Sequence, residues 1–285
     1  MRAKSLLPIV ISLFLIYFPL QLNAQFRTLG IGRASGLGNA AVTLNDQWSI
    51  FNNIGGLAWI EKTYAFSSFD NRFNMAGFNT VLAGVVMPTK YGLATGLTIS
   101  QFGSEQYRET NFSVGLSHKI SNVSIGLRAN YFQMAIEGLG TRRMFTLEFG
   151  GVMKLTETIW IGAHIYNFNQ ARVANFQDER LPVVMKAGLS YRPTEKLIFN
   201  LETEKDISFP QTFKAGLEYK IVPSFALRTG ISTKPFISSY GFSFNFYAFE
   251  LLYSLNTHPQ LQPSHHLGLV YQFRKLQKKK EEKAK

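Results

Sequence analysis

The chain has 285 residues, of which 46% are hydrophobic and 14% aromatic, with 25 Phe, 12 Tyr, no Cys and a formal net charge of +12. The missing thiol excludes a disulfide framework, thiolate metal sites, a cysteine nucleophile and a lipid-anchored N-terminus. The charge does not describe a nucleic-acid binder: residues 274–285 carry seven basic and two acidic residues, and between Gln25 and Phe273 only 21 basic residues stand against 16 acidic ones, with no basic stripe on a folded face.

In chain order, Arg2 and Lys4 precede an apolar run from Leu6 to Leu20, and Leu22-Asn23-Ala24 before Gln25 forms a small-residue cleavage site in which only Leu22 is bulky. Residues 1–24 read as a cleaved signal peptide, so the mature chain is exported. Pro8 and Pro19 break the run, and no other stretch holds ~18 consecutive apolar residues. Any crossing of a membrane must therefore use strands.

Residues 25–61 do not alternate. From Gly30 to Ala41 the chain is small and Gly-rich, and Asp46 to Ile50 can cap and begin a short helix. Gly36, Gly38 and Ala41 match G-x-G-x-x-A, but no strand precedes them, so the match is not a dinucleotide site and no cofactor is expected. Small residues allow close packing in a narrow space. The segment reads as a hatch folded into a lumen, with Gly36, Gly38, Asn52, Asn53 and Gly56 as its candidate contact residues.

From Lys62 to Phe273 one pattern repeats about fourteen times: roughly ten residues with large apolar side chains on one face and Gly, Ser, Asn or charge on the other. Tyr91, Leu93, Leu97 and Ile99 alternate with Gly92, Ala94, Gly96 and Thr98; Val123, Ile125 and Leu127 alternate with Ser124, Gly126 and Arg128. This is how a barrel facing lipid outside and a polar lumen inside is written, and residues 62–273 are predicted to form an all-β, antiparallel transmembrane barrel of about fourteen strands. A soluble sandwich is the alternative; it would carry more charge than Gly and Ser on its second face.

The predicted strands are Lys62 to Phe69, Gly77 to Met87, Tyr91 to Phe102, Tyr107 to Ile120, Val123 to Ile136, Thr141 to Leu155 and Thr158 to Phe168. Leu181 to Arg192, Lys196 to Asp206, Thr212 to Ile221, Ser224 to Thr233, Ser239 to Phe246, Ala248 to Thr257 and His265 to Phe273 complete them. Tight connections such as Ser121-Asn122 and Thr156-Glu157 alternate with longer ones, the longest from Asn169 to Arg180. Short periplasmic turns and longer outer loops follow the barrel rule. Tyr64, Tyr91, Tyr107, Tyr131, Tyr191, Tyr219, Tyr253 and Tyr271 are candidates for the interfacial girdles.

Parity assigns the lumen face. About Pro223 it sets Glu218 opposite Arg228, and about the preceding loop it sets Glu204 opposite Lys214. With Glu148, Lys186, Glu202 and Glu250 these form a lumen network of both signs, which suits a braced wall better than a selectivity ring of one sign. The five histidines are His118, His164, His258, His265 and His266. The last three cluster near one outer loop beside Ser264, without an Asp or Glu to orient them and without metal-ligand spacing, so neither catalysis nor a metal site is expected. Residues 274–285 read as a basic, solvated periplasmic tail.

The run Gly32-Arg33-Ala34-Ser35-Gly36-Leu37-Gly38-Asn39-Ala40, then Asn45-Asp46 and Phe51-Asn52-Asn53-Ile54-Gly55-Gly56-Leu57-Ala58, resembles the N-terminal hatch of FadL-like outer-membrane proteins, in particular the PorV/PorQ branch of Bacteroidetes-type bacteria. Where that family has Asn-Pro-Ala-Gly-Leu-Ala, this chain has no Pro. The C-terminal stretch Tyr240-Gly241-Phe242 through Phe249-Glu250-Leu251-Leu252-Tyr253 to His265-His266-Leu267-Gly268-Leu269 is similar to the family's last strands. The resemblance implies a fourteen-stranded barrel with an internal hatch in the outer membrane of a Gram-negative bacterium. It also implies passive transport of a hydrophobic or small solute or, alternatively, a non-catalytic binding role in type IX-like protein secretion or envelope organisation. The partners expected are outer-membrane lipid, a hydrophobic small-molecule ligand and, on the second reading, a secretion or periplasmic protein.

Overall fold

The structure, a computed structural model, describes residues 30–172, 180–207 and 209–273. The expected signal peptide, residues 25–29 of the expected hatch, the expected basic tail at 274–285, residues 173–179 of the longest connection and Ser208 lie outside the described residues.

Fourteen antiparallel strands close into one barrel. They are β1 (Tyr64–Asn71), β2 (Asn79–Pro88), β3 (Leu93–Gly103), β4 (Tyr107–Ile120), β5 (Val123–Ile136), β6 (Gly140–Lys154) and β7 (Ile159–Tyr166). The second half is β8 (Val184–Thr194), β9 (Leu197–Asp206), β10 (Thr212–Val222), β11 (Phe225–Ser232), β12 (Ile237–Phe246), β13 (Phe249–Thr257) and β14 (Ser264–Gln272). Each strand pairs with its neighbours in the chain, and β1 meets β14 with Tyr64 opposite Gln272, so no sheet edge is left open.

The alternation is inverted relative to a water-soluble protein. On β9 and β10, Glu202, Glu204, Lys214 and Glu218 are at most 4% exposed, while Leu201 and Phe213 between them are 54% and 58% exposed. Leu97 and Phe145 are exposed likewise. A sandwich hides its apolar faces between two sheets; here a single closed sheet turns them outward, which requires an apolar surrounding. Among the described residues no helix is long and apolar enough to cross a membrane.

The edges depart from the pattern where turn chemistry intervenes. Tyr91 and Gly92 adopt positive φ and belong to the turn before β3, which leaves Tyr91 89% exposed at a tip. β7 stops at Tyr166 because Asn167 has φ +54° and its side chain accepts from Ala171 N and donates to Leu181 O, at 2.9 and 2.8 Å. Two girdle candidates turn the other way: Tyr64 and Tyr107 share the inward parity of Phe66 and Ser113, and the Tyr107 hydroxyl donates to inward-facing Glu109.

Residues 30–60 lie inside the barrel. A 3-10 helix at Gly32–Leu37 packs on β10–β14, and a second at Ile54–Trp59 packs on β3–β6, nearly opposite around the wall. A single α-helical turn, Ser49–Asn52, joins them; Asp46 supports it by accepting from Trp48 N at 2.9 Å. Trp48, Ile50, Ile54 and Leu57 pack against the inward side chains Phe66, Leu82, Val86 and Leu252, so the apolar core belongs to the filled bore.

Candidate functional site

The bore accepts the inner segment because backbone meets backbone through glycine. Gly38 closes the first 3-10 helix at φ +64°, and a Cβ there would stand 2.6 Å from the N and O of Ile231 on the wall. Only glycine fits both the left-handed conformation and the approach. Gly36 lies over Arg228 and Gly241, Gly55 lies over Gly151, and Gly56 turns its missing side chain toward Ser49 within the segment.

Two asparagines hold the segment's shape. Asn52 exchanges two hydrogen bonds with the backbone of Ile31, both 3.2 Å. Asn53 accepts from Gly55 N at 3.1 Å and donates to Val42 O at 2.6 Å and to Gly151 O on β6 at 3.1 Å, which ties cap, loop and wall together.

The charges then brace segment against wall. Glu202 accepts from Ala41 N and Val42 N, both at 2.7 Å, and from Lys214 Nζ at 2.8 Å. Lys214 reaches Glu204 at 2.7 Å and Asn39 O at 3.3 Å, and Lys186 lies 3.7 Å from Glu204. Register places Lys214 opposite Glu202 and Thr212 opposite Glu204, which corrects the expected Glu204–Lys214 opposition by two residues. The shift is even, so every side chain keeps its face and only the partner changes. Glu218 stands opposite Arg228 and receives its Nε at 2.6 Å.

Glu218 also receives Arg33 of the segment in a two-point contact, Nε at 2.6 Å and Nη2 at 2.7 Å, while Arg33 Nη1 reaches Asp46 at 3.3 Å. Burial pulls the Arg33 pKa down, but Glu218 and Asp46 more than offset this and hold it above its ordinary value. The guanidinium therefore stays charged. On the opposite wall Glu148 accepts from Asn130 at 2.7 Å and from Arg128 at 3.3 Å, and lies 3.1 Å from His164 Nε2.

Other anchors lie beyond the residues that the pattern singled out. Arg192 donates to Thr43 O and Asn45 Oδ1, Asn200 to Ala40 O, and Trp59 Nε1 to Ser124 Oγ at 2.7 Å. His265 faces outward and pairs with Tyr253, whereas His266 faces inward with Nδ1 2.9 Å from Asp70 across the closure seam and Nε2 beside Asn256. The expectation that no acidic group orients these histidines is therefore corrected for His266, which Asp70 orients from a strand almost two hundred residues away. Inward parity was the sequence signal for Arg192, Asn200, Asp70 and His266; Trp59 and His265 carried none.

At the short-turn end two polar cavities, about 200 and 430 Å³, share Arg33 and Lys220 in their walls. Toward the long connections the inward face of β3–β6 mixes apolar with polar side chains: one ladder rung runs Phe102, Glu109, Met134, Arg142, and the next Ser100, Asn111, Phe132, Met144. Arg72 covers the Phe102 ring at 4.6 Å.

No protein-family model matches the chain, and no curated protein sequence matches it. Solved structures do. The Ralstonia pickettii toluene transporter TbuX superposes with a TM-score of 0.71 at 13% identity, over 88% of this chain and all of that one. The Pseudomonas putida toluene transporter TodX gives 0.64 at 11% identity, over 86% of this chain and 98% of that one. A Pseudomonas aeruginosa FadL homologue gives 0.60 at 14% identity, over 87% and 98%. The architecture of this chain is thus that of a FadL-like barrel.

Proposed function

We propose that the chain is an outer-membrane protein of a Gram-negative bacterium that passes small hydrophobic molecules, with residues 30–60 acting as the hatch. The observation that carries this reading is the group of inward apolar side chains Phe102, Phe132, Met134 and Met144 toward the long connections, interleaved there with Glu109, Asn111 and Arg142. An apolar solute gains from these rings and thioethers, and flexible methionines adapt to solutes of different shape. The fold shared with the toluene transporters TbuX and TodX supports the same class of solute. The Gly32–Ala58 run is our ground for placing the chain near the PorV/PorQ branch.

Catalysis does not enter this reading: both ring nitrogens of His266 are taken, by Asp70 and Asn256, so neither is set against a hydroxyl such as that of Ser264, which accepts from Phe73 N. Uptake of labelled toluene and of a long-chain fatty acid by cells carrying or lacking the gene tests the proposal. Loss of uptake on deletion is expected, and about tenfold slower uptake in Met134→Asp, which replaces a solute-facing thioether with a carboxylate. Unchanged uptake across both solutes refutes it.

A further inference from the structure

The outward face of the strands carries very little charge, and what it carries is of one sign and at one end. Among the described strand residues of outward parity, only Arg108, Arg143 and Lys205 are charged, and all three lie toward the long connections. Lys205 is engaged with Phe209 O at 2.6 Å. Arg108 and Arg143 are exposed, and among the described residues neither has a carboxylate within salt-bridge distance. Nearby Glu109 points inward to Tyr107, and Glu105 and Glu137 lie farther out on the hairpin tips.

These two arginines sit where the apolar band ends. β4, β5 and β6 are the longest strands, with 14, 14 and 15 residues. Their outward side chains change from polar to apolar at a single rung: Thr110, Gln133 and Arg143 stand on one, and Phe112, Tyr131 and Phe145 on the next. Arg108 is one same-face step beyond Thr110. Two strand spacings and one such step separate the Cα atoms of Arg108 and Arg143 by about 12 Å, so both side chains can reach one headgroup. Directly below, Ile99, Phe112, Tyr131 and Phe145 rim an outward-facing apolar depression of about 800 Å³ whose floor includes Ala83 and Ala129.

We propose that the outer face of β2–β6 is a binding site for a phosphorylated acyl lipid, with its chain in this depression and its phosphate held by Arg143 and Arg108. Guanidinium forks match phosphate oxygens, and the aromatic rung marks the depth at which headgroup gives way to chain. A neutral lipid would fill the depression but leave both cations unpaired. The site rests on the membrane reading above and extends it.

The test is native mass spectrometry of the full chain released from detergent, with dimyristoyl phosphatidate and dimyristoylglycerol as probes that differ only in the phosphate. Wild type should retain phosphatidate about tenfold better, the order expected of a charge-assisted contact. The double substitution Arg108→Gln and Arg143→Gln should remove that preference and leave diacylglycerol unchanged. Ala129→Trp, which fills the depression, should reduce retention of both lipids. Equal retention of the two lipids by wild type, an unaltered preference in the double variant, or full competition by inorganic phosphate would overturn the site. Insertion of the chain into liposomes, followed by boiling-dependent gel mobility, separates the two ideas. An inserted barrel without phosphate preference refutes the site alone, and a chain soluble without detergent refutes the membrane reading as well.

Discussion

Glu202 is the sharpest place to ask what holds the inner segment in the bore. Its buried carboxylate accepts two backbone amides of the segment, Ala41 N and Val42 N, and Lys214 from the wall. Hydrogen bonds to an ionised group contribute about 1.5–3 kcal/mol each. Glu202→Ala removes two between segment and wall; with water entering the gap, a net loss of about 3 kcal/mol in the docking of the segment is expected, which at 1.4 kcal/mol per tenfold is about a hundredfold. The absence of native cysteine allows a clean reporter: Val42→Cys places a slightly smaller side chain at a position only 1% exposed. Maleimide labelling in detergent should be slow in the reporter background and about a hundredfold faster when Glu202→Ala is added. Asp70→Asn, at a buried carboxylate on the seam, controls for general loosening of the wall. Labelling unchanged by Glu202→Ala, or accelerated equally by Asp70→Asn, refutes the view that this carboxylate retains the segment.

Three other outcomes follow from the same geometry. Gly38→Ala combines a positive φ with a clash on Ile231 and should cost about 1–3 kcal/mol of docking, read as at least about fivefold faster labelling at Val42→Cys. Leu97→Arg, on an outward side chain in the apolar band, should lower stability by about 2–4 kcal/mol in urea titrations from bilayers; a neutral result would mean that this face meets water. Ser124→Ala strips the acceptor from Trp59 Nε1 and should cost about 1–3 kcal/mol, visible as altered tryptophan emission that Trp59→Phe abolishes.

The wall was legible in the sequence because a barrel's two environments are written residue by residue in a period of two. β4 and β5 could be read to the residue, Tyr107–Ile120 and Val123–Ile136. Edges slipped where a single residue leaves the pleat, at Tyr91 and at Asn167, because the positive φ there comes from local hydrogen bonding and not from hydropathy. Parity fixed which face Glu204 and Lys214 occupy. It could not fix their opposition, since the loop from 207 to 211 sets the register. The bracing of the inner segment was the least legible part: Arg33 meets Glu218 across 185 residues, and nothing local to either marks the other as its partner.

The ladder between β1 and β14 joins the first strand of the wall to the last, around a segment that precedes β1 in the chain. Sheet and segment assemble most simply together: a sheet that curls around Trp48, Leu37 and Leu57 encloses them fully as the final seam zips shut, whereas a finished cylinder could admit them only through an open end.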